Sequence, residues 1–351
     1  MTRIHAGHAY THNKFALCIG KLEDDDPSSC LLIYDETFEG LWGFVDVPRI
    51  LLSVTSFPSE TRDKTIYVTM SDEGDVYFIE GDVPVEKIPG AGVRSDDAED
   101  LGPMNRIICD DGLLFACGMG SQVYRRDRGG RWTRIGERGR DGLDNSYLNS
   151  VAAFQGGALL AVCGHSQVIH RIPTPEEQRR IDAAQAAGDE DLRHRLRAEA
   201  AAVEQPATGR FFINYGRGWE RVELDTNVHM NDVAVDPGRL AWCVGDGGLV
   251  TAARDPAEPE DFSLPDSRDR IHSVRFHDGR RYLLTKTGVR VYGPANEFIT
   301  DLGLPLGLAT PNSIDVVDGA IWYFDYQGVA RWKNDRWEII AIPEDLWQRP
   351  T

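Results

Sequence analysis

A short motif that recurs along the chain constrains its fold more than any other sequence feature. The motif is Asn or His, any residue, Ile or Val, four further residues and Gly, so that the polar residue lies seven positions before the glycine. Five copies begin at Asn105, Asn149, Asn231, His272 and Asn312, with successive spacings of 44, 82, 41 and 40 residues. A fixed period of about 40 residues indicates a repeat architecture. The long spacing indicates an insertion within one repeat.

Each repeat contains short apolar runs separated by tight turns. The copy at Asn105 runs into the turn Asp110-Asp-Gly112, where glycine adopts a positive φ at little cost. Two less regular units, residues 1–47 and 50–88, precede the first copy and share only the rhythm of short runs. Seven units of four strands predict an all-β, seven-bladed β-propeller that spans residues 1–351 as a single domain.

A helical segment interrupts the fourth unit. Thr174-Pro-Glu-Glu177 has the residues of a helix start, with Thr as the N-cap, Pro at the first helical position and Glu three residues after the cap. Gly188 breaks this helix, and Leu192, Leu196, Ala200 and Val203 then follow helical spacing along one face. We therefore expect a helical hairpin over residues 174–204, inserted between strands of the fourth blade.

The charge of the chain limits its partners. The formal net charge is −18, which disfavours binding to nucleic acids or anionic membranes because both require a basic surface.

No apolar run approaches a membrane span, and the N-terminal residues lack a signal-peptide pattern, so we expect a cytoplasmic protein. Arginine greatly outnumbers lysine, which is typical of a bacterial gene. The six cysteines form no C-x-x-C pair, and we expect buried free thiols.

One stretch of the fifth unit resembles a known repeat. The segment 233–250 reads VAVDPGRLAWCVGDGGLV, with a strand, a turn, an aromatic-containing strand and Gly-x-Gly-Gly. It resembles the repeat of bacterial propellers of the photosystem-assembly-factor type. The resemblance implies the propeller fold, and it implies that the chain acts as a protein-binding scaffold.

The recurring polar residue is the first candidate for a functional role. Because the innermost strand of a propeller blade begins at one mouth of the central channel, the side chains at this position would ring that mouth, with Asp232 adjacent. These candidates are Asn105, Asn149, Asn231, His272 and Asn312. Amide oxygens bind hard cations, and calcium-dependent lactonase propellers resemble this arrangement, although they require carboxylates there. The alternative, favoured by the identical spacing, is that each side chain bonds backbone groups at the start of its strand.

Two other groups of residues are weaker candidates. His5, His8 and His12 could bind a metal, but they lack a helical spacing and an accompanying Cys or carboxylate framework. A basic patch, formed by Arg125, Arg126, Arg128 and Arg131, could dock an acidic surface or form a solvated outer strand. Leu192 and Leu196 of the predicted hairpin are apolar candidates for a partner contact.

These patterns favour a binding protein over an enzyme. We expect no catalytic residues, no metal and no cofactor. The preferred hypothesis is a non-catalytic propeller that binds a protein with a basic surface, as an assembly factor or as an inhibitor or immunity protein. The acidic surface would steer that association. The alternative is a calcium-dependent hydrolase or lactonase with its site at the channel mouth.

Overall fold

The computed structural model describes residues 2–20, 28–59, 64–94, 97–99, 101–136, 146–166, 169–170, 174–189, 192–193, 195–196, 203–205, 208–224, 226, 228–264 and 269–348. Seven antiparallel sheets of four strands form the blades of a β-propeller, which confirms the predicted fold. The first strands of neighbouring blades contact one another around a ring, and the first strand of blade 7 contacts that of blade 1.

The first three blades are continuous stretches of chain. Blade 1 is β1 (Arg3–Thr11), β2 (Lys14–Gly20), β3 (Ser29–Asp35) and β4 (Trp42–Val47). Blade 2 is β5 (Leu51–Pro58), β6 (Thr65–Ser71), β7 (Asp75–Phe78) and β8 (Val85–Lys87). Blade 3 is β9 (Met104–Asp110), β10 (Leu113–Gly118), β11 (Val123–Arg126) and β12 (Trp132–Gly136). The rhythm of short runs therefore located the two irregular N-terminal blades correctly.

Blade 4 alone is interrupted. It is β13 (Ser146–Phe154), β14 (Leu159–Ser166), β17 (Gly209–Asn214) and β18 (Glu220–Arg221). Between β14 and β17 lie a two-stranded ribbon, β15 (Ile169–His170) with β16 (Val203–Gln205), and helix α1 (Pro175–Ala186). We call residues 167–208 the arm.

The last three blades are again continuous. Blade 5 is β19 (Met230–Val235), β20 (Ala241–Gly245), β21 (Val250–Ala253) and β22 (Glu260–Asp261). Blade 6 is β23 (Ile271–His277), β24 (Arg280–Thr285), β25 (Val289–Tyr292) and β26 (Phe298–Asp301). Blade 7 is β27 (Pro311–Val317), β28 (Ala320–Asp325), β29 (Val329–Lys333) and β30 (Arg336–Ile340), and a short helix, α2 (Glu344–Trp347), follows it.

The turn after each motif strand has the geometry that its sequence demands. Asp111 and Gly112 have φ values of 49° and 69°, and Asp278 and Gly279 have 48° and 70°, so both central residues of these hairpins are left-handed. Blade 5 differs because Pro237 cannot adopt a positive φ. There the left-handed residue is Arg239, with φ 65°, rather than the motif glycine Gly238.

Apolar side chains form one core at each of the seven joints between neighbouring blades. Trp132 and Trp219, near the outer strands of their blades, are buried at such joints. Phe298, on the outer strand of blade 6, is instead 58% exposed. The six cysteines, all within the described residues, form no disulfide with one another, and Cys109 is the one that is not fully buried.

The arm begins as the sequence predicts and ends differently. Thr174 caps α1 in a capping box with Glu177, and Gly188 has φ 69° two residues after the helix. Residues 192–193 and 195–196 are also helical. Val203 was expected on the second helix but lies in β16, because the base of the arm is a β-ribbon. Among the described residues, no helix combines the length and apolar character needed to cross a membrane.

Candidate functional site: the channel mouth

The motif residue occupies the same structural position in the five blades that carry the motif, and a counterpart occupies it in blades 1 and 2. Towards the start of each inner strand the pairing register with the second strand shifts at one residue, which is a β-bulge. The seven bulge residues are His5, Leu52, Asn105, Asn149, Asn231, His272 and Asn312. All seven line one pocket of about 300 Å³, which we call the channel mouth. The five predicted candidates are therefore brought together, and blades 1 and 2 contribute His5 and Leu52.

The asparagine side chains link neighbouring blades. Each donates its Nδ2–H to a backbone carbonyl that immediately precedes the bulge of the next blade: Asn105 to Leu148 at 2.8 Å, Asn149 to Met230 at 2.7 Å, Asn231 to Ile271 at 2.9 Å, and Asn312 to Ile4 at 3.4 Å. Asn312 also reaches the carbonyl of His5, at 3.1 Å. The alternative interpretation of the motif predicted that each of these side chains bonds to a backbone group. The acceptor belongs to the neighbouring blade rather than to the asparagine's own strand.

Histidine and leucine replace asparagine at three bulges. His5 Nδ1 lies 3.1 Å from the carbonyl oxygen of Leu51 and so makes the same link from blade 1 to blade 2. Leu52 has no polar group for this bond. His272 is half-buried, and burial, followed by the charge of Arg270, lowers the pKa of its imidazole to about 4. His272 is therefore neutral near pH 7.

Polar residues at the edge of the channel mouth, which we call the rim, donate to the side-chain oxygens of two of the motif asparagines. Arg270 donates to the Oδ1 atom of Asn231 at 3.0 Å and pairs with Asp246 at 3.2 Å. Tyr147 donates its hydroxyl to the Oδ1 atom of Asn105 at 3.3 Å. The rim thus holds these two amides in one orientation.

Below the mouth, a buried ionic network crosses the channel. Arg275 of blade 6 pairs with Asp232 of blade 5 at 2.6 Å and with Asp315 of blade 7 at 3.1 Å. Asp315 also contacts His8 of blade 1 at 2.9 Å, while Ser150 of blade 4 donates to Asp232 at 2.7 Å. This network joins five successive blades through charged and hydroxyl groups.

Asp232, the predicted carboxylate of the ring, is occupied by this network. Its two oxygens accept bonds from Ser150, Ser273 and Arg275. Burial alone would raise its pKa, but Arg275 and then Arg106 hold the pKa of this carboxyl below its ordinary value. Asp232 therefore remains ionised, and its charge and lone pairs are already used.

Arg106 is the functional residue that sequence reasoning missed. It directly follows Asn105, and its side chain lines both the mouth and the channel below it. In the described part of the chain it forms no ion pair. A signal was available, because the position after the motif residue is polar or charged in all five copies: Arg106, Ser150, Asp232, Ser273 and Ser313.

A stack of three rings extends from the mouth towards the arm. Tyr147 lies parallel to His165, with ring centroids 5.0 Å apart, and His165 lies parallel to His229 at 4.6 Å. His165 is at the end of β14, where the arm begins. Burial, followed by His229, lowers the pKa of His165, which keeps the middle ring neutral. The arm and the mouth therefore lie on the same face of the propeller.

The predicted partner contacts lie elsewhere. Arg126 is only 4% exposed and makes two bonds of 2.7 Å to Glu86, so it belongs to the joint between blades 2 and 3. Arg125, Arg128 and Arg131 are exposed on the outer strands of blade 3, away from the mouth. Leu196 is buried against Ile181 and Ala184 inside the arm, and Leu192 packs against the same cluster.

The three N-terminal histidines do not converge. His5 is at the mouth, His8 contacts Asp315 in the channel, and His12 contacts Asp318 at the far end of β1. Across the described residues, no group of three His, Cys, Asp or Glu side chains is arranged to hold a metal ion.

Comparison with known proteins supports the fold and leaves the function open. No family profile and no curated protein sequence matches this chain. Its fold is similar to the WD40 β-propeller domain of Doa1, with a TM-score of 0.59 and 10% identity over 99% of this chain and 95% of that chain. YCF48 bound to D1 peptide has a TM-score of 0.59 and 11% identity over 97% and 94%. Virginiamycin B lyase from Staphylococcus aureus has a TM-score of 0.56 and 11% identity over 82% and 83%.

The chain has the fold of these propellers. The similarity to YCF48 confirms, at the level of the fold, the resemblance that the fifth blade suggested. The similar structures include a propeller solved with a bound peptide and a lyase, so the fold by itself does not choose between binding and catalysis.

Proposed function

We propose that this chain is a protein-binding β-propeller that contacts its partner with the mouth face. The observation that carries the proposal is the stack of Tyr147, His165 and His229, which makes the channel mouth and the base of the arm one continuous surface. A surface that combines a polar depression with the base of a helix-containing arm suits a polypeptide better than a small molecule.

The mouth offers hydrogen-bond donors to such a polypeptide. Arg106 lines the mouth and forms no ion pair with another described residue, and the bond from Tyr147 to Asn105 holds the edge of the pocket in place. Guanidinium groups bind carbonyl and carboxylate oxygens well. We therefore assign Arg106 as the group that anchors a main-chain or side-chain oxygen of the partner.

The similar structures agree with this proposal. YCF48 was solved with D1 peptide, and its fold covers nearly the whole of this chain. The net charge of −18 would steer the chain towards a partner with a basic surface and would make association faster at low salt. An assembly factor or an inhibitor of a basic protein would have this combination of features.

The alternative, a calcium-dependent hydrolase, is less compatible with the charges at the mouth. Asp232 is saturated by Arg275 and two serine hydroxyls, and Arg106 and Arg270 place positive charge around the pocket. Calcium sites require several available carboxylate or carbonyl oxygens. The mouth therefore suits an anionic or neutral polar group better than a divalent cation.

The test is retention of a partner from extracts of the native host at low salt. We expect Arg106→Ala and Tyr147→Ala to weaken retention of the same partner that wild type retains. Lys333→Ala, an exposed change at the β29–β30 turn on the opposite face, should leave retention unchanged. Equal retention by wild type and both mouth variants would show that the mouth face is not the contact.

A further inference from the structure

Three buried arginines lie over aromatic rings at joints between blades, and two of them have carboxylate partners. Arg126, which is 4% exposed, lies 4.9 Å from the ring of Phe78 and pairs with Glu86. Arg331, also 4% exposed, lies 5.2 Å from the ring of Trp322 and pairs with Glu36 and Glu338, each at 2.8 Å. Paired carboxylates offset the cost of burying these guanidinium groups.

Arg281 is the third such arginine, at the joint between blades 5 and 6. It is 5% exposed and lies over three rings, Trp242 at 4.3 Å, Tyr292 at 4.9 Å and Phe262 at 5.5 Å. In the described part of the chain it forms no ion pair, and its Nε atom is buried without a hydrogen-bond partner. Burial lowers the pKa of this guanidinium to about 10, so Arg281 remains charged at neutral pH.

A pocket of about 530 Å³ opens beside Arg281. It is formed by turns on the face opposite the channel mouth, and its walls are largely apolar: Pro237, Leu240, Trp242, Phe262, Phe276 and Pro294. Its size is within the range of pockets that hold small organic ligands.

The polar groups that the structure describes around the pocket do not neutralise Arg281. Asp236 lines the pocket, but its carboxylate accepts bonds from the indole of Trp242 at 3.0 Å and from the backbone of Leu240 at 2.9 Å. Asn296 accepts a bond from Nη2 of Arg281 and carries no charge. A buried cation without a counter-ion is costly, and aromatic faces compensate only in part.

We propose that this pocket is a binding site for a carboxylate on an apolar body, with Arg281 as the group that binds the carboxylate. The carboxylate would supply the counter-ion that Glu86 supplies to Arg126 and that Glu36 and Glu338 supply to Arg331. The apolar body would pack against Trp242, Phe262 and Phe276. The site lies on the opposite face from the proposed protein contact, so each can be tested without the other.

Calorimetric titration of the full-length chain tests the proposal with three probes at constant ionic strength: benzoate, the α-amide of N-acetylglutamate and inorganic phosphate. We expect saturable binding of a carboxylate probe. Stronger binding of benzoate would indicate a small-molecule ligand, and stronger binding of the glutamate derivative would indicate an acidic side chain of a polypeptide. Arg281→Gln should weaken the better probe at least about tenfold, since it removes a charge-assisted hydrogen bond.

Arg280→Gln is the matched control, because Arg280 is the exposed neighbour and the change in net charge is the same. It should bind the carboxylate probe as wild type does. The proposal is overturned if neither carboxylate probe binds, if phosphate alone binds, or if Arg281→Gln binds as tightly as wild type.

A second variant supplies the counter-ion within the chain. Asn296 has φ 62°, a conformation that aspartate tolerates nearly as well, so Asn296→Asp should preserve the turn. We expect this variant to raise the melting temperature and to abolish binding of the carboxylate probe. Unchanged stability together with unchanged binding would contradict the assignment of Arg281 as an unpaired cation, even if Arg281→Gln does not fold.

Discussion

Asn312 in the last blade donates its side-chain amide to the backbone carbonyl of Ile4 in the first blade, at 3.4 Å. This bond repeats, at the junction between the two ends of the ring, the links that other asparagines make between consecutive blades. Blade 1 and blade 7 each consist of four consecutive strands, so no strand is exchanged between them. Side-chain contacts and a backbone bond, from the N–H of Ile4 to the carbonyl of Tyr326 at 2.9 Å, close the ring.

The first prediction concerns these links. Asn149→Ala removes the bond to the carbonyl of Met230 and leaves that acceptor without its partner. We expect a loss of about 1–3 kcal/mol in the free energy of unfolding, measured by urea denaturation. Asn334, in an exposed turn on the opposite face, is not a suitable control site. Its φ of 53° means that an alanine there would itself be strained. Thr133→Ala on the exposed edge of blade 3 should change stability by less than about 0.5 kcal/mol.

The second prediction concerns His272, the bulge residue in the first strand of blade 6. His272→Asn can form the link to blade 7 that the histidine does not make, and we expect a gain of about 0.5–1.5 kcal/mol at pH 7. Because its pKa is about 4 when folded and about 6.5 when unfolded, His272 makes the wild type lose stability as pH falls through that window.

The advantage of His272→Asn over wild type should therefore increase from pH 7 to pH 4. Urea midpoints measured across this range test the prediction. Thr133→Ala, an exposed change that removes no titratable group, is the control and should show no such pH-dependent difference. A constant difference between His272→Asn and wild type would mean that His272 titrates as an ordinary histidine.

The third prediction concerns the ionic network in the channel. Arg275→Met leaves Asp232 and Asp315 buried without their shared cation, and we expect a loss of about 3–5 kcal/mol. Burial would raise the pKa of Asp315, but His8 and Arg275 hold the pKa of this carboxyl below its ordinary value. Its contribution to stability is thus present above pH ~4 and is lost as pH falls further.

Adding Asp315→Asn to Arg275→Met should recover part of the lost stability, because it removes one of the two buried carboxylates that have lost their guanidinium partner. Urea denaturation at pH 7 compares the single and double variants. If Arg275→Met alone were as stable as wild type, the network would have no net role in stability.

The fourth prediction concerns the contact between β1 and blade 7. A Cβ atom at Gly7 would overlap the ring of Phe324, so Gly7→Ala should cost about 1–3 kcal/mol. Gly43→Ala is the matched control, since no atom lies within 4 Å of the position that its Cβ would occupy and the site is exposed. Combining Gly7→Ala with Phe324→Leu should lose less than the sum of the two single changes, as measured by a double-mutant cycle.

The fifth prediction concerns the arm. Ile181, Ala184 and Leu196 form a core that is separate from the seven joint cores. Replacing residues 167–208 with the Lys286-Thr-Gly288 turn of blade 6 should therefore change the melting temperature of the propeller little. The same variant should lose affinity for the partner if the arm is part of the contact. A large loss of stability would show that the arm supports blade 4 directly.

The repeat made the fold predictable, because the same turn and bulge requirements recur in each blade. The rhythm of short runs was sufficient for blades 1 and 2, where the asparagine is replaced by His5 and Leu52. The capping box at Thr174 depends only on neighbouring residues, so the start of α1 was also predictable.

The parts of the site that depend on distant residues were not predictable from sequence alone. The sequence places Arg126 in a basic surface patch, whereas in the structure it pairs with Glu86, which lies 40 residues earlier in the chain. Leu196 reads as an exposed apolar residue until α1 packs against it. Arg106 and the stacked rings became candidates only when the blades placed them around one pocket.

The absence of a shared strand between blades 1 and 7 has a consequence for folding. The polar bonds that close the ring join residues 295 to 322 positions apart, from Glu36 with Arg331 to Ile4 with Tyr326. Contacts between residues so far apart in the sequence form slowly, because the intervening chain must first be ordered. Until then the molecule is an open arc whose end blades expose Phe15 and Trp322 to solvent. We expect this arc to be the species most prone to aggregate during refolding.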